Sequence, residues 1–88
     1  MQPDRLVYMA NQIGKFFEFQ KPEEIIPGIA NHIDHFWDPR MRAAIFAYMD
    51  EGGEGIDPPV REALEKLKAE AGQRGKSSVG AQSSFQGT

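Results

Sequence analysis

An apolar stretch at residues 36–49 limits the folds open to this chain more than any other segment. It opens with a helix start signal. Asp38 can cap a helix, because its carboxylate can accept hydrogen bonds from the free N–H groups of the first turn. Pro39 suits the first helical position, where its missing N–H costs nothing. The sequence therefore predicts a helix over about 39–50, which Gly52–Gly53 would end through a left-handed C-cap residue.

This predicted third helix is apolar on nearly every side. At about 100° per residue, its apolar residues divide into a core-facing arc and an outer side: Met41, Ala44, Ile45, Tyr48 and Met49 on the arc, and Ala43, Ala47 and the flanking Phe46 opposite. A chain of 88 residues has little material with which to cover both sides of one helix. Either the outer side is an alanine-lined surface, or another protein covers it. We favour cover by another protein.

Three further segments space their apolar residues as helices do, and no segment alternates as a strand does. They span about residues 3–19, 22–37 and 58–71. Within the second, Pro27 leaves two alternatives, a kink or a helix that begins there. Within the first, Gly14 is either a tolerated defect or a point of close approach to another helix. The predicted fold class is all-α, a small bundle of three to four short helices.

The composition changes at Gly72. All 13 acidic residues precede it, whereas residues 72–88 are mostly Gly, Ser and Gln. Such a segment buries too little apolar surface to offset the entropy lost on ordering. We predict a helical domain over residues 1–71 and a disordered, flexible tail over 72–88. Val79 and Phe85 are its large apolar residues, and we favour a loose terminus over an anchor for a partner.

Composition also excludes several classes of function. The sequence has no cysteine, which removes a disulfide scaffold, a thiolate metal site and a cysteine nucleophile. A net charge of −3 argues against nucleic-acid binding, which needs clustered Lys and Arg. No signal-peptide pattern or long apolar run occurs, so we expect a cytoplasmic protein that makes no membrane contact. The predicted helical domain has no serine for a nucleophile, and we expect no enzymatic activity.

Two pairs of side chains are candidates for binding. His32 and His35 share a helix face, but no third ligand is evident, so structural or interface histidines are favoured over a metal site. Arg40 and Arg42 follow Trp37 at a helix start, where the helix dipole disfavours cations. Contact with a partner or an anion is therefore favoured over two solvated arginines.

Three runs of residues carry a family resemblance. They are Leu-Val-Tyr-Met-Ala-Asn-Gln-Ile at 6–13 followed by Phe16-Phe17, Ile-Ala-Asn-His-Ile at 29–33 leading into Phe-Trp-Asp-Pro-Arg-Met-Arg at 36–42, and Gly-Ile-Asp-Pro at 55–58 with Val-Arg-Glu-Ala at 60–63. Over about residues 5–68, the chain resembles the delta subunit of soluble NAD-dependent formate dehydrogenases.

The resemblance implies an accessory subunit that holds no cofactor of its own. Such subunits accompany a large catalytic subunit with a molybdenum or tungsten pterin centre and iron–sulfur clusters, and a subunit that binds FMN and NAD. The complex oxidises formate to carbon dioxide and passes the electrons to NAD. The lack of cysteine agrees with this role, because clusters of the usual type need Cys ligands.

We therefore expect a non-catalytic subunit that docks on the catalytic subunit and supports its assembly or stability, with the flavin subunit at a distance. The predicted docking surface consists of His35, Trp37, Asp38, Arg40, Arg42 and Phe46. One alternative is a transient maturation factor for insertion of the metal–pterin cofactor. Another is a free-standing helical regulator that self-associates through the third helix. Retention in the active complex separates a subunit from a maturation factor.

Overall fold

The computed structural model describes the backbone of residues 2–80 and the side chains of residues 2–72. It contains four helices: α1 Pro3–Phe17, α2 Pro22–Phe36, α3 Pro39–Asp50 and α4 Pro58–Gly80. No strand occurs within residues 2–80, so the all-α prediction is confirmed. Each helix begins with a proline, whose fixed φ suits the first turn and whose missing N–H has no intrahelical partner to lose.

The core takes side chains from all four helices. α2 packs most extensively against α4, and α1 lies against the other three helices. The largest fully buried side chains are Leu6, Ile29, Ile33, Ile45, Val60 and Leu64. Burial of each stabilises the fold by about 1.5–3 kcal/mol relative to an exposed position. One core therefore holds the bundle together.

Gly14 is a point of close approach between α1 and α4. A Cβ atom at this position would lie 2.5 Å from Cγ2 of Val60, well inside van der Waals contact. Both residues are buried. The interpretation of Gly14 as a point of close helix approach is confirmed, and the glycine serves packing at a cost in helix propensity.

Two helix bounds bear on the predictions. α2 begins at Pro22 and continues through Pro27, so the alternative start at Pro27 is wrong. The acidic first turn at Pro22 favours this start, because carboxylates stabilise the positive end of a helix dipole. α4 extends to Gly80, past the predicted tail boundary at Gly72. The remainder of the predicted tail, which includes Phe85, lies outside the described residues.

Candidate partner interface

The corner between α2 and α3 holds most of the predicted docking residues. Asp38 Oδ1 accepts a hydrogen bond of 2.9 Å from the backbone N–H of Met41, so the predicted N-cap is confirmed. Trp37, immediately before it, is only 5% exposed and belongs to the core. The capping hydrogen bond of Asp38 and the buried ring of Trp37 thus fix the start of α3.

Arg42 lies in α3 but contacts the end of α2. Its Nη1 donates a hydrogen bond of 3.1 Å to the carbonyl oxygen of Asp34 and another to the carbonyl oxygen of Trp37. The last carbonyls of a helix have no intrahelical N–H partner, and the helix dipole favours a cation there. Arg42 is unfavourably placed for α3, but it caps the carboxyl end of α2, and this explains its position.

The other predicted docking residues differ in exposure. Arg40 and His35 are exposed, and the His35 Nδ1 donates to the carbonyl oxygen of Asn31 at 2.9 Å. Asp38 is exposed despite its capping bond. Phe46 is half-buried and packs against the core. Partner contact through the six residues stays a prediction, but four of them already serve the fold: Trp37, Asp38, Arg42 and Phe46.

The outer side of α3 exposes less apolar area than the helical spacing of its residues predicts. Ala43 and Ala47 are exposed there, together with Arg40. The largest apolar residue assigned to that side was Phe46, and it packs against the core instead. In this chain by itself, the outer side of α3 is an alanine-lined surface.

The loop between α3 and α4 depends on three glycines with positive φ, Gly52 at +120°, Gly53 at +62° and Gly55 at +90°. This conformation is strained for residues that carry a Cβ atom. The Tyr48 hydroxyl donates to the carbonyl oxygen of Glu54 at 2.7 Å, which ties the loop back to α3. The predicted glycine-rich turn is confirmed, including the left-handed residue after α3.

Two polar side chains from other helices hold this loop in place. The Asn11 amide donates to the carbonyl oxygen of Gly55 at 2.9 Å and accepts from the backbone N–H of Asp57 at 3.0 Å. Arg61 Nη2 donates to the carbonyl oxygens of Gly52 and Gly53 at 2.9 and 2.7 Å. Helical spacing places Asn11 and Arg61 on solvent-facing sides and misses both roles. Only the unusual glycine content of the loop signals a need for such anchors.

A row of aromatic rings lies on the surface where the end of α1 meets α2. The ring centroids of Phe16 and Phe17 are 5.2 Å apart, those of Phe17 and His32 6.3 Å, and those of His32 and Phe36 4.7 Å. Phe16 is 71% exposed and Phe36 is 73% exposed. We call these four residues the aromatic row.

The exposure of the aromatic row corrects the sequence analysis. Helical spacing at about 100° per residue places Phe16 and Phe36 on the apolar arcs of α1 and α2, yet both are open to solvent. Phe16 stands at the margin of its arc, about 120° from the buried Ala10, and Phe36 is the last residue of α2. The rings instead contact one another across the surface.

The histidine of the aromatic row is packed between rings. His32 contacts Phe17 on one side and Phe36 on the other. His35, one turn along α2, binds a backbone carbonyl. Among the described residues, no group of three or more His, Cys, Asp or Glu side chains is placed to hold a metal ion. The interpretation of His32 as a structural or interface histidine agrees with these ring contacts.

An open groove of about 560 Å³ adjoins the aromatic row, between the end of α1, α2 and α4. Phe17 lines the groove and also belongs to the row. Its ring lies on Gly28, where a Cβ atom would approach ring carbons to 2.7 Å. The charged groups that line the groove are four carboxylates and one ammonium group, those of Glu23, Glu24, Asp34, Glu70 and Lys66. We call it the acidic groove.

Comparison with known proteins identifies a family for most of this chain. A family model described as the NADH-dependent formate dehydrogenase delta subunit, FdsD, matches residues 5–64, which run from the first turn of α1 into α4. Neither a curated protein nor a solved structure matches the chain significantly. None of the described helices is both long and apolar enough to cross a membrane. The chain belongs to the family of NADH-dependent formate dehydrogenase delta subunits.

Proposed function

We propose that this chain is a non-catalytic accessory subunit that docks on the catalytic subunit of a cytoplasmic, NAD-dependent formate dehydrogenase and supports the assembly or stability of that subunit. Membership of the delta-subunit family supports the identity of the partner. In this proposal the partner subunits carry the molybdenum or tungsten pterin, the iron–sulfur clusters and FMN. The observation that carries the proposal is the exposure of the aromatic row.

The aromatic row has the properties of the centre of an interface. Phe16 and Phe36 are large apolar side chains that remain more than two-thirds exposed while in contact with partly buried rings. Contiguous exposed apolar surface of this kind marks protein–protein contact sites, and aromatic residues are enriched at their centres. Full burial of each phenylalanine by a partner would contribute about 1.5–3 kcal/mol of binding free energy before ordering costs.

Polar side chains that form hydrogen bonds within the chain support the proposed non-catalytic role, because they bind backbone groups of the scaffold. Asp38 and Arg42 bind helix ends, and Asn11, Tyr48 and Arg61 bind the loop after α3. Each of these side chains binds a backbone group at a helix end or in the loop, where helical hydrogen bonds do not reach. These side chains therefore stabilise the scaffold that presents the aromatic row.

The proposal is tested by co-expression of the tagged full-length chain with the other subunits of its formate dehydrogenase. We expect the wild-type chain to stay with the catalytic subunit through size exclusion. The double variant Phe16→Ser, Phe36→Ser should bind at least about tenfold more weakly, since loss of about 1.4 kcal/mol is tenfold. Its isolated thermal stability should stay near wild type, because both side chains are exposed.

The docking surface predicted from the sequence, which includes Arg40, is tested by the variant Arg40→Ser, Ala47→Ser on the outer side of α3, where both side chains are also exposed. If docking uses the aromatic row alone, this variant binds as the wild type does. Loss of binding in this variant with retention in the aromatic variant would show that α3 carries the docking surface instead. A wild-type chain that leaves the complex once the enzyme is active would overturn the subunit proposal in favour of a maturation factor.

A further inference from the structure

We infer that the acidic groove binds a cationic segment of the catalytic subunit, one in which lysine or arginine side chains stand beside an apolar side chain. The inference rests on the proposed function and adds the chemistry of the segment that the partner contributes. It follows from three observations: the charge of the groove, its apolar floor and its continuity with the aromatic row.

The charge of the groove is strongly negative. Glu23 and Glu24 stand in the first turn of α2, and neither forms an ion pair within residues 2–72. The lysine of the groove, Lys66, is already paired with Glu70 at 3.1 Å. Carboxylates in such an arrangement favour guanidinium or ammonium groups, which bind them by charge-assisted hydrogen bonds.

The groove also has an apolar floor. Phe17, Pro27, Ala30 and Leu67 line it together with the charged groups. The methylene stems of lysine and arginine pack on apolar surface while their charged ends stay at a polar rim. A cationic segment with an adjacent apolar residue therefore matches both parts of the lining, whereas a purely apolar or an acidic segment matches only one or neither.

Because the acidic groove adjoins the aromatic row, we infer that one partner contacts both. Phe17 is shared, and its ring is seated on Gly28 in the wall of the groove. A partner that covers Phe16 and Phe36 would therefore lie beside the groove, within reach of a segment that enters it. A second copy of this chain is a poorer occupant, because its net charge of −3 would bring like charges together.

The deciding variant is Asn31→Lys, which places a cation at the groove without altering the start of α2. Asn31 lines the groove and is exposed. In the purified full-length chain, titrated against the catalytic subunit, we expect binding about tenfold weaker than wild type at low salt. The matched control is Gln12→Lys, the same type of change at an exposed position of α1 outside the groove, and it should bind as wild type.

A second pair of variants tests the carboxylates themselves. Glu23→Gln, Glu24→Gln should weaken binding and reduce its sensitivity to added NaCl, because screening acts on exposed charges. The control Glu62→Gln, Glu65→Gln removes the same charge from exposed positions of α4 outside the groove and should leave salt sensitivity unchanged. Thermal unfolding of each variant shows whether the loss of the two carboxylates destabilises α2. If it does, the binding of Asn31→Lys decides whether the groove inference stands.

The outcomes separate this inference from the proposed function. If Asn31→Lys binds as tightly as Gln12→Lys while the Phe16→Ser, Phe36→Ser variant fails to bind, the groove inference is overturned and the docking proposal stands. If the wild-type chain does not bind the catalytic subunit, both are overturned. If the isolated chain forms a dimer that Asn31→Lys dissociates, a second copy occupies the groove and the inference is overturned.

Discussion

Two adjacent residues, Phe36 and Trp37, belong to regions with opposite properties. Trp37 is 5% exposed at the α2–α3 corner, whereas Phe36 is 73% exposed in the aromatic row. At the corner, polar and apolar side chains alike find partners within the chain: Asp38 caps α3 and Arg42 caps α2. In the aromatic row, the rings contact one another but leave most of their outer area open. The corner stabilises the fold, and in the proposed function the aromatic row contacts the partner.

A change of backbone conformation separates the two neighbours. Phe36 is the last residue of α2, while Trp37 has φ −92° and ψ 134°, an extended conformation. This extended conformation ends α2 and turns the chain towards Asp38 and α3. Helical spacing, at about 100° per residue, places both aromatic side chains on the apolar arc of α2 and does not show that only Trp37 is buried. Adjacent aromatic residues at a helix end therefore need to be assigned separately.

The largest expected effect contrasts these neighbours directly. Trp37→Ala should lower the free energy of unfolding by about 3–5 kcal/mol, since a large aromatic side chain is removed from the core. Phe36→Ala should change it by less than about 0.5 kcal/mol, as is usual at exposed sites. Denaturant unfolding of the full-length chain measures both. If both variants lose the same free energy of unfolding, Phe36 contributes to the core as much as Trp37 does, and the contrast between the two regions fails.

The fold was predictable where signals are local. Asp38 and Pro39 act within one turn of each other, so the start of α3 follows from a few residues of sequence. The same holds for the glycine turn after α3, where positive φ values require residues without a Cβ atom. The core positions of α4 follow from helical spacing, since Val60, Ala63, Leu64 and Leu67 are all buried.

The partners of polar side chains were not predictable, because they are distant in sequence. Asn11 binds backbone groups that are 44 and 46 residues away. Arg42 binds the Asp34 carbonyl of the preceding helix, although its position at a helix start suggested contact with a partner or an anion. The exposure of the aromatic row was not predictable from the sequence for a related reason. Marginal positions such as Phe16 are buried or exposed according to where neighbouring helices end, which one sequence does not specify.

The next effect concerns the loop that Asn11 holds. Asn11→Ala removes two hydrogen bonds and leaves the Gly55 carbonyl and the Asp57 N–H without this partner. We expect the free energy of unfolding to fall by about 1–3 kcal/mol. The control Gln12→Ala, at the exposed neighbouring position, should lie within about 0.5 kcal/mol of wild type. Binding to the catalytic subunit should not change in either, and a binding loss specific to Asn11→Ala would extend the interface to the loop.

The smallest effect distinguishes the two roles considered for Asp38. Asp38→Ala removes the N-cap of α3 and should lower the free energy of unfolding by about 1 kcal/mol, whereas Asp38→Ser retains a capping oxygen and should lose less. If Asp38 serves only the fold, both variants bind the catalytic subunit as tightly as wild type. If it also contacts the partner through its charge, serine restores stability but not affinity. Titration of the catalytic subunit with each variant, alongside denaturant unfolding, therefore decides whether any of the corner joins the aromatic row in docking.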